Sequence, residues 1–384
     1  MLLRWSHDRE MKINIYVADQ NPMLDRSFGI SRMSEGILSM LMRQPDVEMQ
    51  VVVSQSSVQA PVGVKKTLIP WKTSHRWLRL LTDHLHTLWA DAADVFYFPK
   101  GFLPLVLGKA RPTVVTIHDT IIQYSHDHYP QWRSEWEYRY WEWMLKQTLL
   151  KADCILTVSQ TSKLQIESFM QRYDVPKKAI TVTYEPCPYE AVSQPQAPAK
   201  DNYVIHLASR EPHKRTAHLM RWWADAEAAG RALPLLHLIG TLPEGMEEML
   251  AASRTMVKRP FLEDSALQAA YMGAKALILP SEIEGFGLPA LEAYYLGTPV
   301  CHVAGTSVEE ILSVATDKGR FDLDKCESLF AALDEVCRMS ADEVYRCGEV
   351  LREHYAADRV MGTMMSAFSN LLAVRKGGSG NLTR

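Results

Sequence analysis

The sequence predicts an α/β protein built from two doubly wound parallel-sheet domains that face a cleft. Three observations predict it: short apolar runs alternate with helix-like stretches, a proline-rich segment interrupts the pattern near mid-chain, and the alternation then restarts. In the first half the candidate strands are residues 13–17, 47–53, 95–98, 113–117 and 154–158, with 180–183 as a further one. Helical patterns fall between them, for example at 31–43 and 132–151. Pro186, Pro188, Pro195 and Pro198 cannot continue an element, so 186–202 reads as a linker between a first domain at 11–185 and a second at 203–356. The second series of strands is 203–207, 235–239, 254–257, 276–279 and 299–303. A last helix is predicted at 357–374.

Composition narrows the class. With 384 residues, 47% hydrophobic and 23% charged, each half is long enough to bury its own core. A formal net charge of −3 excludes a broadly basic, nucleic-acid-binding surface. The six cysteines are scattered with no CxxC pair, which excludes zinc-ribbon and redox motifs and fits a reducing, cytoplasmic compartment. Residues 1–10 are too polar for a secretory signal, and no apolar run of about 20 residues offers a membrane span. Translation starts at either Met1 or Met11, since the first strand pattern opens just after the second methionine. Residues 377–384 read as a flexible tail.

The most telling stretch is 276–299. Ala276-Leu277-Ile278-Leu279 reads as a buried strand that stops at Pro280, and Gly297 and Pro299 end the helix that follows. Between them, Glu284-Gly285-Phe286-Gly287-Leu288 forms a loop at the carboxyl end of a strand and feeds a helix amino terminus. Free backbone N–H groups and the helix dipole converge there and suit a diphosphate. The glycines let the backbone approach a ligand closely. Glu284 and Glu292 bracket this anion site. Carboxylates are poor neighbours for phosphates but good acceptors for sugar or ribose hydroxyls.

Glu284 and Glu292, seven residues between them, stand within Pro-Ser-x-x-Glu-Gly-Phe-Gly-Leu-Pro-x-Leu-Glu-Ala. This resembles the signature of retaining glycosyltransferases of family 4, enzymes of bacterial polysaccharide and lipid-linked glycan synthesis. They have the GT-B fold, two Rossmann-like domains facing a cleft. The resemblance runs from Met11 to about Leu372. It implies transfer of a sugar from a nucleotide-diphosphate sugar to an acceptor hydroxyl with retained anomeric configuration, no metal or other cofactor, and a last helix that crosses back to the first domain. It also implies that N–H groups around Gly285, Phe286, Gly287 and Leu288 hold the diphosphate, Glu284 the transferred sugar and Glu292 the ribose.

Other positions fit the same chemistry. Arg210 and Lys214 follow the first strand of the second domain, where two cations can clamp a leaving diphosphate. The family has a similar pair, although Arg215 stands where it commonly has Asn or Gly. Phe28-Gly29-Ile30-Ser31-Arg32 is either a helix-entry turn or the family's amino-terminal glycine loop, with Gly29 and Ile30 approaching the donor phosphates. It is not GxGxxG, which counts against a nicotinamide-dependent oxidoreductase. His118-Asp119 ends a buried strand, and the resemblance places His118 at the transferred sugar. Asp322-Leu323-Asp324 reads as a solvated turn rather than a metal site. Residues 65–79 carry five Lys or Arg and no acid, interleaved with Trp71 and Trp77. They form either a contact with an anionic membrane or a helix whose charges face water. The aromatic run 129–143 reads as core and acceptor-side wall.

Together these readings predict a cytoplasmic retaining hexosyltransferase, either soluble or peripheral on the inner face of the cytoplasmic membrane. Its expected donor is GDP-mannose, from the similarity of the His118-Asp119 region to mannosyltransferases. Its expected acceptor is a glycan or lipid-linked saccharide, and nucleic acid is not a partner. The alternative is a catalytically silent regulatory subunit of the same fold.

Overall fold

The computed structural model describes residues 10–16, 30–53, 64–68, 84–108, 110–187, 189 and 200–379. The chain divides into two compact units: Met1–Thr120, Trp136–Pro188 and Ala357–Arg384 form the first, Ile121–Glu135 and Tyr189–Ala356 the second. Elements are numbered in chain order.

The first unit is a seven-stranded parallel sheet. Its strands are β1 (Met11–Tyr16), β2 (Val47–Val53), β3 (Lys65–Leu68), β4 (Val95–Phe98), β5 (Thr113–Ile117), β6 (Cys154–Thr157) and β7 (Ile180–Val182). The spatial order is β3-β2-β1-β4-β5-β6-β7. The chain therefore winds outward in both directions from the β1/β4 boundary, the doubly wound pattern. The central strands are buried on both faces, which is why they read as continuous apolar runs. Helices α1 (Ile30–Met42), α3 (Glu135–Lys151), α4 (Gln160–Arg172) and α12 (Ala357–Ser379) also have residues in this unit. Ser159 caps α4 by accepting from the Ser162 N–H at 2.9 Å.

Two features of this unit depart from the sequence prediction. Residues 65–68 form an edge strand rather than the start of a helix. The Gln50 amide donates to Thr67 Oγ1 at 2.6 Å and to Asp91 at 2.8 Å, and Lys65 is ion-paired with Asp91. The other residues of the basic stretch, 69–79, lie outside the described residues. The second departure is the segment 121–135, which the sequence puts in the first domain and the contacts put in the second unit. Helix α12 belongs to the first unit: Val360, Met361, Met364 and Phe368 pack with Ile13, Ile15, Val95 and Leu41, and the Phe368 and Tyr97 rings lie 5.6 Å apart.

The second unit is a six-stranded parallel sheet of order β10-β9-β8-β11-β12-β13. Its strands are β8 (Tyr203–Ala208), β9 (Leu235–Gly240), β10 (Met256–Arg259), β11 (Leu277–Leu279), β12 (Val300–Val303) and β13 (Arg320–Phe321). Here the winding reverses at β8/β11. The helices are α2 (Ile121–His128), α5 (Thr216–Ala228), α6 (Glu247–Ala252), α7 (Asp264–Gly273), α8 (Leu288–Tyr295), α9 (Ser307–Leu312), α10 (Cys326–Cys337) and α11 (Ala341–His354). Trp223 of α5 and Phe330 of α10 close the core over Val204, Leu236, Leu238 and Ile278. Strand β10 begins two residues later than the sequence predicts. The Glu227 carboxylate takes Ser253 Oγ at 2.6 Å and the Arg254 N–H at 2.7 Å, which holds 253–255 in a turn. Most of the predicted linker lies outside the described residues. Among the described residues no helix is long and apolar enough to cross a membrane.

Candidate active site

In an open parallel sheet the crevice for a ligand lies where the winding reverses, outside the carboxyl ends of the strands. In the second unit that point is the gap between β8 and β11. Strand β8 runs into a loop with a short 3-10 turn at Pro212–Lys214 and then α5, while β11 runs into residues 280–287 and then α8.

Buried polar groups fix these two loops. His206 on β8 donates from Nδ1 to the Ile278 carbonyl of β11 at 2.9 Å, so its Nε2 accepts from the Thr216 hydroxyl at 2.8 Å. Thr216 Oγ1 in turn accepts from the Ser209 N–H at 3.1 Å. Burial, with a smaller push from Lys214, lowers the His206 pKa to about 4, so the ring is neutral and the relay has one sense. The Glu282 N–H donates to the His213 carbonyl at 2.9 Å and ties one loop to the other.

Across that tie two predicted site residues meet. Lys214 Nζ lies 2.5 Å from Glu284 Oε1. Glu284 is buried, and burial alone would raise its pKa. The charge and hydrogen bond of Lys214, then Ser281 and His213, outweigh burial and hold the carboxylate ionised below its ordinary range. Ser307 Oγ donates to the Glu284 carbonyl at 3.0 Å and fixes the backbone as well.

The rest of the loop explains its glycines. Gly287 takes φ +105°, and a Cβ there would sit 2.8 Å from Val308 Cγ2. Only glycine allows both the turn and the close packing. Phe286 points inward and meets Tyr355 edge-on at 5.5 Å, so its side chain anchors the loop and leaves backbone groups for a ligand. No side chain caps the amino end of α8, which Gly287 and Leu288 open. Glu292 lies one turn further in and is buried, with the Tyr271 hydroxyl 3.4 Å from its Oε2.

The structure adds residues that the sequence reading passed over. His213 is buried next to Lys214, and its Nδ1 has no hydrogen-bond partner among the described residues. Burial first, then Lys214, pushes its pKa down to about 4 against the opposite pull of Glu284. Glu282 receives the Tyr129 hydroxyl at 2.5 Å, with Arg215 Nε 3.2 Å from its other oxygen. Glu211 receives Trp132 Nε1 at 2.9 Å and Arg133 at 3.4 Å. Thus segment 121–135 docks on both loops of its unit. Tyr129 and Trp132, which the sequence assigned to core or acceptor wall, make these contacts. Arg210 is exposed, stands on a cavity wall with Tyr129 and Trp132, and forms no ion pair among the described residues. The pair expected from sequence is therefore divided: Lys214 is at Glu284, and Arg210 is at the cavity.

In the first unit His118 stands at the carboxyl end of β5. Its Nε2 lies 2.8 Å from the Pro99 carbonyl and its Nδ1 3.1 Å from Glu185 Oε1. Both partners carry acceptor oxygens, an arrangement that favours the doubly protonated ring. Burial opposes that charge, but the Glu185 carboxylate, then the Pro99 carbonyl and Asp119, outweigh it and raise the pKa. Glu185 carried no signal in the sequence beyond being a carboxylate before Pro186. Gly29 lies outside the described residues; Ile30 is the first residue of α1, and its side chain lies outside them too. Asp322-Leu323-Asp324 is a turn closed on itself: Asp322 accepts the Asp324 N–H at 2.9 Å and pairs with Lys325 at 2.9 Å.

Comparison with known proteins bears on the family and the fold. Residues 190–340 match the family model of glycosyl transferases group 1, and residues 42–187 match that of glycosyltransferase family 4. The chain is 29% identical to O-antigen chain mannosyltransferase B of Escherichia coli over 252 residues, 59% of this chain and 62% of that protein. It is 28% identical to O-antigen chain mannosyltransferase RfbU of Salmonella typhimurium over 241 residues, 60% of this chain and 63% of that protein. Both matches span less than two thirds of the relative. The fold matches sucrose-phosphate synthase from Thermosynechococcus elongatus with a TM-score of 0.67 at 15% identity, over 97% of this chain and 100% of that one. With two doubly wound α/β units of the GT-B type, and family models that meet at the junction between its halves, the chain belongs to the family 4 glycosyltransferases.

Proposed function

We propose that the protein is a retaining glycosyltransferase that moves mannose from GDP-mannose to a hydroxyl of a glycan or lipid-linked acceptor. The observation that carries the transfer reading is the Lys214–Glu284 pair at the β8/β11 reversal, 2.5 Å apart beside the uncapped amino end of α8. A carboxylate kept ionised while buried is a strong acceptor for hydroxyls of the transferred sugar. The adjacent ammonium and the first-turn N–H groups of α8 stabilise the negative charge that grows on a departing diphosphate. Glu292 is assigned to the ribose hydroxyls. For His118 the proposal is a part in the transfer step as a fixed imidazolium.

Two similar proteins named as mannosyltransferases support the choice of mannose. Retention of configuration and independence from metal rest on the resemblance of the 280–293 stretch to the family signature. A peripheral place on the cytoplasmic membrane face rests on the basic stretch 65–79. Co-sedimentation with anionic vesicles that falls as salt rises would support it.

The test is a thermal-shift screen against UDP, GDP, ADP and their sugars, followed by transfer from the best donor and NMR of the product's anomeric centre. A ligand that binds only the native state raises its melting temperature. GDP and GDP-mannose should give the largest shifts, the product should retain the donor's configuration, and EDTA should leave the rate unchanged. Donor binding with neither transfer nor hydrolysis would instead indicate a silent regulatory subunit.

A further inference from the structure

The second unit holds a cavity of about 380 Å³ beside the 209–215 loop. Its wall combines two kinds of group. Tyr129 and Trp132 bring aromatic rings, and Arg210, Arg215 and Arg221 bring guanidinium groups. Arg215 is committed to Glu282. Arg210 and Arg221 are exposed and form no ion pair among the described residues. Of the two acidic residues on the wall, Glu211 is already engaged by Trp132 and Arg133, which leaves Glu244 against two uncommitted arginines. Lys214, Glu284 and Glu292 do not line this space.

This wall is specific in what it rewards. An aromatic face covers the C–H face of a sugar ring, and a guanidinium fork matches a phosphate or carboxylate. A neutral sugar leaves the arginines unused, and bare phosphate leaves the rings unused. We propose that the cavity is a subsite for an anionic saccharide, a sugar phosphate or a uronic acid, separate from the donor pair at Lys214 and Glu284. The choice of a saccharide rests on the glycosyl-transfer reading; the excess of uncommitted guanidinium groups does not.

The experiment titrates the full chain by NMR with mannose 6-phosphate, glucuronate, methyl α-mannoside and inorganic phosphate, each with and without saturating GDP. The anionic sugars should bind at least about tenfold more tightly than the neutral sugar or phosphate, the scale of one charge-assisted hydrogen bond. GDP should not displace them. Arg221→Gln, at an exposed helical position, should weaken them about tenfold and leave GDP affinity unchanged. Trp132→Leu should weaken the sugar phosphate more than inorganic phosphate. No saturable binding, displacement by GDP, equal binding of the neutral sugar, or indifference to Arg221→Gln would each overturn the proposal. If the anionic sugars bind and GDP does not, the donor reading fails and the subsite stands.

Discussion

Each unit places a buried carboxylate beside a cation at strand ends or loops on the carboxyl side of its sheet, but the two pairs differ in what they leave free. In the first unit His118 spends both ring nitrogens, on Glu185 and the Pro99 carbonyl. In the second unit Lys214 engages one oxygen of Glu284, His213 beside it has an unpartnered Nδ1, and an uncapped helix end adjoins them. A saturated pair can offer a ligand only its charge. An unsaturated one has hydrogen-bonding capacity left for a ligand. The comparison teaches that burial of a charge is by itself a weak sign of a binding site; leftover donors and acceptors are the stronger one.

The largest effects should come from breaking either pair. Glu185→Gln leaves an imidazolium without its counter-charge, and Lys214→Ala leaves a buried carboxylate alone. Each should cost about 3–5 kcal/mol in urea unfolding. They should part company in a second assay, where Lys214→Ala weakens nucleoside diphosphate binding and Glu185→Gln does not. Equal loss of nucleotide affinity in both would erase the contrast.

Next in size is turnover. Glu284→Ala removes the carboxylate assigned to the sugar and should slow transfer about 10²–10³-fold, the scale of one transition-state contact in a water-poor site. Full-rate transfer by this variant would overturn the donor-site assignment.

The pH responses of the units should run in opposite directions. His118 has a raised pKa, so its contribution is complete below about 6.5, the unfolded value, and is lost as pH rises through the folded value. His206, His213 and His302 of the second unit are buried and pushed down to about 4. Their contribution is complete above about 6.5 and is lost as pH falls toward the folded value, roughly 3 kcal/mol for each histidine. Histidine ring-proton NMR titration should find one ring that keeps its charge to higher pH than a free histidine and three neutral well into acid.

The smallest effect separates the two glutamates of the signature. Glu292→Ala should weaken bare nucleoside diphosphate about tenfold in calorimetry, since ribose is present without the sugar. Glu284→Ala should change it by less than about twofold, because its assigned partner is absent. Matching losses would merge the two roles.

Much of this architecture was legible because it rests on burial. The central strands are buried on both faces, so apolar runs reveal them, and Gly287 marks a turn that a Cβ would block. Strand β3 was not legible, because Lys65 and Lys66 sit on an edge where pairing is made by backbone and by the Gln50 amide. The docking of 121–135 was hidden for a similar reason. It depends on Tyr129, Trp132 and Arg133 finding Glu282 and Glu211, polar contacts across long separations that leave no periodicity. Lys214 was found by its distance from a strand end, while His213 beside it looked like part of a solvated basic turn. Its burial follows from the tie between two loops that only the fold brings together.

The place of α12 has a consequence for how the protein is made. Every strand of the first sheet has been synthesised by residue 182, yet Val95 and Tyr97 are covered by Met364 and Phe368, which emerge from the ribosome after the entire second unit. The second unit draws its strands from one continuous stretch and closes its core without waiting for residues beyond 356. Closing the first core requires a far longer loop, and non-local closure is slow. The half of the chain that is born first is therefore expected to finish folding last, with an apolar sheet face open in the interval. Chains interrupted before Ala357 should carry that exposed face permanently and aggregate, although all thirteen strands found among the described residues are present.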